Sequence, residues 1–279
     1  MNRPEKLAST IRPHLASRME GIEPFHVVVL INRAKALEAQ GRTIANMVVG
    51  EPDAPTPPLI AAAGIRAIES GRIGYTSSLG ITELRDSIAA WYHTRYGVEV
   101  PRSRVIVTAG SSGALLLTMG VLLSPGDQVL MADPGYPCNR HFVRTMEGEA
   151  VGIPVGAETA YQLTAALVEK HWTAKTAAVL IASPSNPTGT LIDHGELQRI
   201  HAVVKARGGV LIVDEIYHGL TYGKRDRSAL EFADDVFIIN SFSKYFGMTG
   251  WRLGWMVAPE QTIAPLDKLA QNLFISPSD

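Results

Sequence analysis

Six short, almost unbroken apolar runs constrain this chain more than any other feature. They are Val105–Thr108, Gln128–Ala132, Ala177–Ala182, Val210–Val213, Val236–Asn240 and Leu253–Val257. A strand with one wet face alternates apolar and polar residues, whereas a strand covered on both faces need not. Helical patterns, among them Gly113–Leu123 and Gly195–Arg207, lie between several of the runs. This succession predicts an α/β sheet with helices on both faces. In such sheets the ligand sits beyond the carboxyl ends of the strands. The chemistry is therefore expected at Thr108–Ser112, Asp133–Tyr136, Ser183–Asn186, Asp214–Tyr217 and Ser241–Lys244.

Upstream, a helix is predicted over Pro24–Gln40, stopping at Gly41, then a Pro-rich loop from Asn46 to Pro58 and a helix to about Ser70. Another is predicted over Gly80–Gly97, with Glu83, Arg85 and Asp86 outward and Leu84, Ile88 and Trp91 inward. With 279 residues, 46% hydrophobic and 19% charged, the chain can bury a large core. A net charge of -1 gives no electrostatic reason to expect nucleic acid or an anionic membrane as partner. The single cysteine, Cys138, cannot form an internal disulfide, and the N-terminus has no signal-peptide core. The cytoplasm is the default location, and no apolar run near the N-terminus is long enough to span a bilayer.

Lys244 follows a buried strand directly and has Ser241, Ser243 and Arg252 nearby in sequence. A lysine amine is nucleophilic only when deprotonated, and burial and nearby positive charge favour that form. Hydroxyls with an arginine also suit a phosphate group. A solvated loop lysine is the alternative. Asp214 ends a strand and needs a partner if buried; a pyridinium N–H is one, and a cap for the following turn is another. Asn186, between Pro184 and Pro187, has a restricted backbone and could donate to a phenolate-type oxygen, although an ordinary Pro-Gly turn reads the same way. Ser111 and Ser112 fall where a strand turns into a helix, which suits phosphate but also fits a plain helix start. Tyr136 could stack on a planar ring or simply pack in the core. Metal binding is poorly supported, because the eight histidines do not pair with Cys, Asp or Glu at ligand spacing.

Taken together, S-F-S-K-Y-F-G-M-T-G-W-R-L-G (241–254), V-D-E-I-Y (213–217), S-P-S-N-P-T-G (183–189) and Y-T-S-S-L-G-I-T-E-L-R (75–85) closely resemble the class I/II aminotransferases of the aspartate aminotransferase superfamily. The resemblance implies the fold type I large domain, a three-layer αβα sandwich with a mostly parallel mixed sheet, over residues 45–279. Residues 1–44 would be an N-terminal arm belonging to a small domain. It implies a pyridoxal 5′-phosphate enzyme that moves an amino group from an α-amino acid to a 2-oxo acid, and a homodimer. A pyridoxal-phosphate lyase or synthase, or an inactive cofactor-binding remnant, are the alternatives.

By the same resemblance, Lys244 is the Schiff-base lysine and proton shuttle, and Asp214 the partner of the pyridine nitrogen. Asn186 and Tyr217 serve the ring oxygen, and Tyr136 stacks on the ring. Ser111, Ser112, Ser241 and Arg252 resemble the phosphate cradle, with Ser243 beside it. Tyr75 reaches the phosphate of the neighbouring subunit. Gly50 and Asn186 lie near the substrate. Ser112 stands where some aspartate-preferring relatives carry a lysine, which weakens aspartate as preferred substrate. Family members continue into a C-terminal small domain with an arginine for the substrate carboxylate. This chain ends at N-L-F-I-S-P-S-D, so a truncated and impaired form is expected.

Overall fold

The computed structural model describes residues 15–278. Three helices come first: α1 (His26–Glu38), α2 (Pro58–Glu69) and α3 (Thr82–Tyr96). Then follow β1 (Val105–Thr108), α4 (Gly110–Leu122), β2 (Gln128–Asp133), α5 (Cys138–Thr145), β3 (Glu149–Pro154), α6 (Ala165–His171), β4 (Thr176–Ala182) and α7 (His194–Ala206). The chain continues through β5 (Val210–Asp214), β6 (Phe237–Ser241) and β7 (Gly254–Val257) to α8 (Ile263–Leu273).

The seven strands form one sheet in the order β1-β7-β6-β5-β4-β2-β3. Every pair away from β7 is parallel; β7 runs antiparallel to both β6 and β1. Successive side chains of a strand point to opposite faces, and the core divides accordingly. Val105, Val107, Val213, Ile238 and Trp255 pack with α3, α6 and α7. Ile106, Ile212, Phe237, Ile239 and Met256 pack with α4, α5 and α8. The sheet is thus the middle of three layers, as the apolar runs predict.

All six predicted strands are present, each with bounds within a residue or so of expectation. β3 is a seventh that the apolar runs did not mark. The predicted helices are present with bounds within about three residues, α4 beginning at Gly110 rather than Gly113, while α5, α6 and α8 are additional. One orientation differs. Arg85 was expected to face outward, but its guanidinium turns back to donate to the Val105 carbonyl at 2.8 Å and the Arg102 carbonyl at 3.0 Å. A long stem lets an arginine leave its helix face to satisfy backbone acceptors. The inward face of α3 also includes Tyr92 and Tyr96, both buried and spaced with Ile88 at four-residue intervals.

The residues before the sheet touch it near α5. Arg18 pairs with Glu147 at 2.8 Å, Arg144 donates to the Gly21 carbonyl, and Phe25 meets Tyr136 edge to face at 5.9 Å between centroids.

Candidate active site

The parallel strands all end at one edge of the sheet, and that edge gathers the polar residues. Thr108 ends β1, and its hydroxyl donates to the Gly110 carbonyl at 2.8 Å, setting up the start of α4. Gly110 has φ +67°, a backbone conformation glycine adopts without a Cβ clash. Ser111 and Ser112 therefore occupy the first turn of α4, whose backbone N–H groups have no partner within the helix.

Opposite them, Ser241 ends β6. Its hydroxyl donates to Leu253 O at 3.0 Å and lies 2.9 Å from the Ser243 hydroxyl; it also accepts the Ser243 N–H at 3.1 Å. Arg252, with φ +53°, donates to the Thr249 carbonyl at 3.0 Å and stands over Gly110, where a Cβ would come within 2.7 Å of Nη2. Gly254 is packed closer still: a Cβ there would lie 2.9 Å from Ser111 N and 2.7 Å from the Gly110 carbonyl carbon. The two glycines let a helix N-terminus, two serine hydroxyls and a guanidinium converge. Such a group of donors and positive charge accommodates a phosphate dianion.

Asp214 ends β5 beside this cradle and is 6% exposed. Its carboxylate accepts the Ile216 N–H at 3.1 Å. Burial pushes its pKa up to about 6, and no cation stands among the described groups that influence it. At neutral pH it is a buried anion without a positive partner, a costly condition that a cationic N–H relieves. Tyr217, three residues on, has its hydroxyl 3.2 Å from Asn186 Nδ2, which donates to it. Burial, and then the Asp214 charge, raise the Tyr217 pKa. Tyr136 is half-buried at the end of β2, and burial likewise raises its pKa.

Lys244 faces these groups. Its Nζ donates to the Gly50 carbonyl at 2.7 Å and lies 5.7 Å from the Tyr217 ring centroid. Burial lowers its pKa; Glu51 opposes that effect and Arg252 adds to it. The direction is the one a nucleophilic amine requires. Beside it opens a cleft of about 480 Å³, lined by Glu51, Pro52, Thr56, Gly247, Thr249 and Trp251.

The chain belongs to the class I and II aminotransferases. The model of that family, "Aminotransferase class I and II", matches residues 42–278. The valine–pyruvate aminotransferase of Mycobacterium tuberculosis is 39% identical over 92% of this chain and 66% of its own length. The (5-formylfuran-3-yl)methyl phosphate transaminase of Methanocaldococcus jannaschii is 36% identical over 94% of this chain and 68% of its own. The solved structure of Thermus thermophilus aspartate aminotransferase with maleate superposes with a TM-score of 0.91 at 29% identity, covering 95% of this chain and 70% of that one. The likeness to that aminotransferase includes the three-layer fold type I sandwich. The chain spans about two thirds of the length of these relatives.

Of the residues singled out from the sequence, Ser111, Ser112, Ser241, Ser243 and Arg252 come together as a cradle. Asp214, Asn186, Tyr217, Lys244 and Gly50 line one side of the same edge, with Tyr136 in the turn that follows β2. Tyr75 stands apart and is 85% exposed. The sequence reading missed Gly110 and Gly254; the signal was available in two glycines flanking the cradle serine and arginine. Among the described residues no His, Cys, Asp or Glu cluster could hold a metal, and no helix is long and apolar enough to cross a membrane.

Proposed function

We propose that this chain binds pyridoxal 5′-phosphate and transfers an amino group from an α-amino acid to a 2-oxo acid. The observation that carries the reading is the placement of Lys244 Nζ, with its lowered pKa, against the Asp214–Tyr217 segment and beside the anion cradle. The residues suit the cofactor chemically. The cradle suits its phosphate, the uncompensated Asp214 suits a protonated pyridine nitrogen, and Asn186 and Tyr217 suit its phenolic oxygen.

When bound, the cofactor supplies an electron sink for charge developing at the substrate Cα. The protein supplies the rest. Lys244 Nζ would hold the cofactor and, as a free amine, would accept the proton from the substrate Cα and deliver it to the cofactor carbon C4′. Its lowered pKa keeps the neutral amine accessible for that transfer. Asp214 would hold the proton on the ring nitrogen, a duty that requires it to be ionised and that the cation on that nitrogen itself favours. Asn186 Nδ2 orients Tyr217 so that both can serve one oxygen. The Gly50 carbonyl, which receives the Lys244 ammonium here, belongs to the loop on the substrate side.

A homodimer fits the exposure of Tyr75 and of Leu59, Ile65 and Ile68 on α2. Residues 15–44 would belong to a small domain, with 45–278 forming the cofactor domain.

The test is borohydride reduction of the chain mixed with pyridoxal phosphate, followed by peptide mass spectrometry. The expected adduct is on Lys244. An adduct on another lysine, or none, refutes the assignment. Rapid mixing with amino acids, followed by product analysis with a 2-oxo acid acceptor, separates amino transfer from elimination.

A further inference from the structure

Glu215 follows Asp214 at the end of β5. The pleat turns it to the opposite face of the sheet, toward α3. It is 0% exposed. Its Oε1 accepts two hydrogen bonds, from Ser228 Oγ at 3.0 Å and from the Ala229 N–H at 2.9 Å. Its Oε2 takes no hydrogen bond from any described group and faces His218 Nδ1 at 3.5 Å.

The surroundings determine where a proton can sit. His218 Nδ1 is 2.8 Å from the Tyr96 hydroxyl. That hydroxyl already accepts from Arg95 Nε at 3.1 Å, so its own hydrogen is directed at Nδ1. His218 hydrogen-bonds the Ser183 backbone through its ring, which leaves Nδ1 as a lone pair. The nearest other charged groups on this side are Asp226 and Arg95, which bind each other through two contacts at 2.9 and 3.0 Å, and Glu231, whose charge also acts on His218. Tyr92 and Tyr96 reach in from α3, and Asn240 stands on β6 as Glu215's neighbour. Among the described residues no free cation is therefore available to Glu215, while Asp226 and Asp214 both disfavour its charge.

We propose that Glu215 is a positioning residue for the amino-transfer site: it remains a neutral carboxylic acid with its proton on Oε2, the oxygen that accepts no hydrogen bond, holds the Ile216–Tyr217 turn from beneath, and leaves Asp214 the sole carboxylate at the end of β5. The idea rests on the reading of Asp214 and Tyr217 given above. The turn is pinned at both ends: Glu215 is fixed to Ser228 and Ala229, and His218 to Tyr96, with the His218 N–H also donating to the Glu215 carbonyl at 2.9 Å. Tyr217 lies between the pins. A charge on Glu215 would repel Asp214 and favour protonating the carboxylate that has to stay ionised. Burial pushes Glu215 up to about 8 and His218 down to about 4, with Asp214 at about 6. These values leave a window between about pH 6 and 8 in which Asp214 is charged and Glu215 is not.

The experiment is infrared spectroscopy of the 279-residue chain, with and without pyridoxal phosphate, across a pH titration. At pH 7 the wild type should show the carbonyl stretch of a buried, protonated carboxyl, shifted by 13C-glutamate labelling and lost near pH 8. Glu215→Gln should abolish it. Absence of the band, or its survival in Glu215→Gln, overturns the proposal. If that variant fails to fold, the labelled wild type decides alone: Glu215 is the one buried glutamate among the described residues, so a band unmoved by the label also overturns it. The infrared result needs neither cofactor nor turnover, so it can fail independently of the proposed activity. The positioning role is read from the pH profile of the half-reaction with an amino acid. The break near pH 8 should disappear in Glu215→Gln; a break persisting at the same midpoint would rule the role out.

Discussion

Asn186 Nδ2 donates to the Tyr217 hydroxyl at 3.2 Å, joining the loop after β4 to the turn after β5. Two loops that leave adjacent strands thereby present their polar ends as one unit. Tyr217→Phe and Asn186→Ala should each slow the half-reaction roughly 10- to 100-fold, the range expected for a lost hydrogen bond of about 1.5–3 kcal/mol to a charged group. Because the two residues act together, the double variant should lose less than the product of the single losses. Single-turnover mixing with an amino acid would measure all three; strictly multiplicative losses would count against a joint role.

Asp214 carries a pH signature of its own. Its folded-state pKa of about 6 lies above the ordinary 3.8, so the folded chain binds this proton more tightly than the unfolded chain. The associated stability is present below about pH 4 and is lost as pH rises to about 6. Asp214→Asn removes that dependence. The difference between the denaturation free energies of variant and wild type, without cofactor, should therefore grow in favour of the variant across that window. The change is on the order of 3 kcal/mol, taking about 1.4 kcal/mol per pKa unit. The same variant should slow the half-reaction more than it weakens cofactor binding. Urea titrations at several pH values, together with stopped-flow rates, check both parts.

Gly254→Ala should damage the cradle and the sheet at once. The added methyl would meet the Asn240 carbonyl oxygen at 2.9 Å as well as Ser111 N and the Gly110 carbonyl carbon. These are backbone atoms that cannot swing aside, so a loss of about 1–3 kcal/mol from overpacking is expected. Pyridoxal phosphate affinity should fall with it, because Ser111 is displaced. A variant with wild-type midpoint and affinity would contradict the packing described here.

Arg95 and Asp226 form a pair in which the aspartate side chain is 1% exposed and the arginine 27%. Asp226 also accepts the Gly219 N–H next to the Tyr217 turn. Arg95→Ala strands a buried carboxylate and should cost about 3–5 kcal/mol. Arg95→Ala combined with Asp226→Asn should recover part of that loss, since no uncompensated charge remains. Thermal and chemical denaturation of the three variants would show whether the recovery occurs.

The layers were legible in the sequence because burial on both faces leaves unbroken apolar runs, and the six predicted strands have them. β3 was not legible for the converse reason. Glu149–Pro154 contains a glutamate, a glycine and a proline, and as an edge strand pairing only with β2 it can carry them. α6, with Val168 as its one buried residue, is too short for a helical period to stand out. Site residues were legible wherever a polar side chain interrupts the chain at a strand end, as Asp214 and Ser241 do. Glu215 was visible only as the neighbour of Asp214. Its burial depends on Tyr92, Tyr96 and His218 arriving from distant segments, and no local pattern encodes that meeting. Gly110 and Gly254 likewise acquire their meaning from each other across the β1–β7 pairing.

That pairing also sets an order of events during synthesis. β7 enters between β1 and β6, so β1, which is made early, has no strand partner until nearly the whole described chain has left the ribosome. Ser111 and Arg252 sit on the two sides of this late closure. Contacts so distant along the chain form slowly, since the loop between them must be ordered first. A phosphate-bearing ligand of the proposed kind would thus find its donors together only after β7 has docked, and its retention by a nascent or refolding chain would mark that docking.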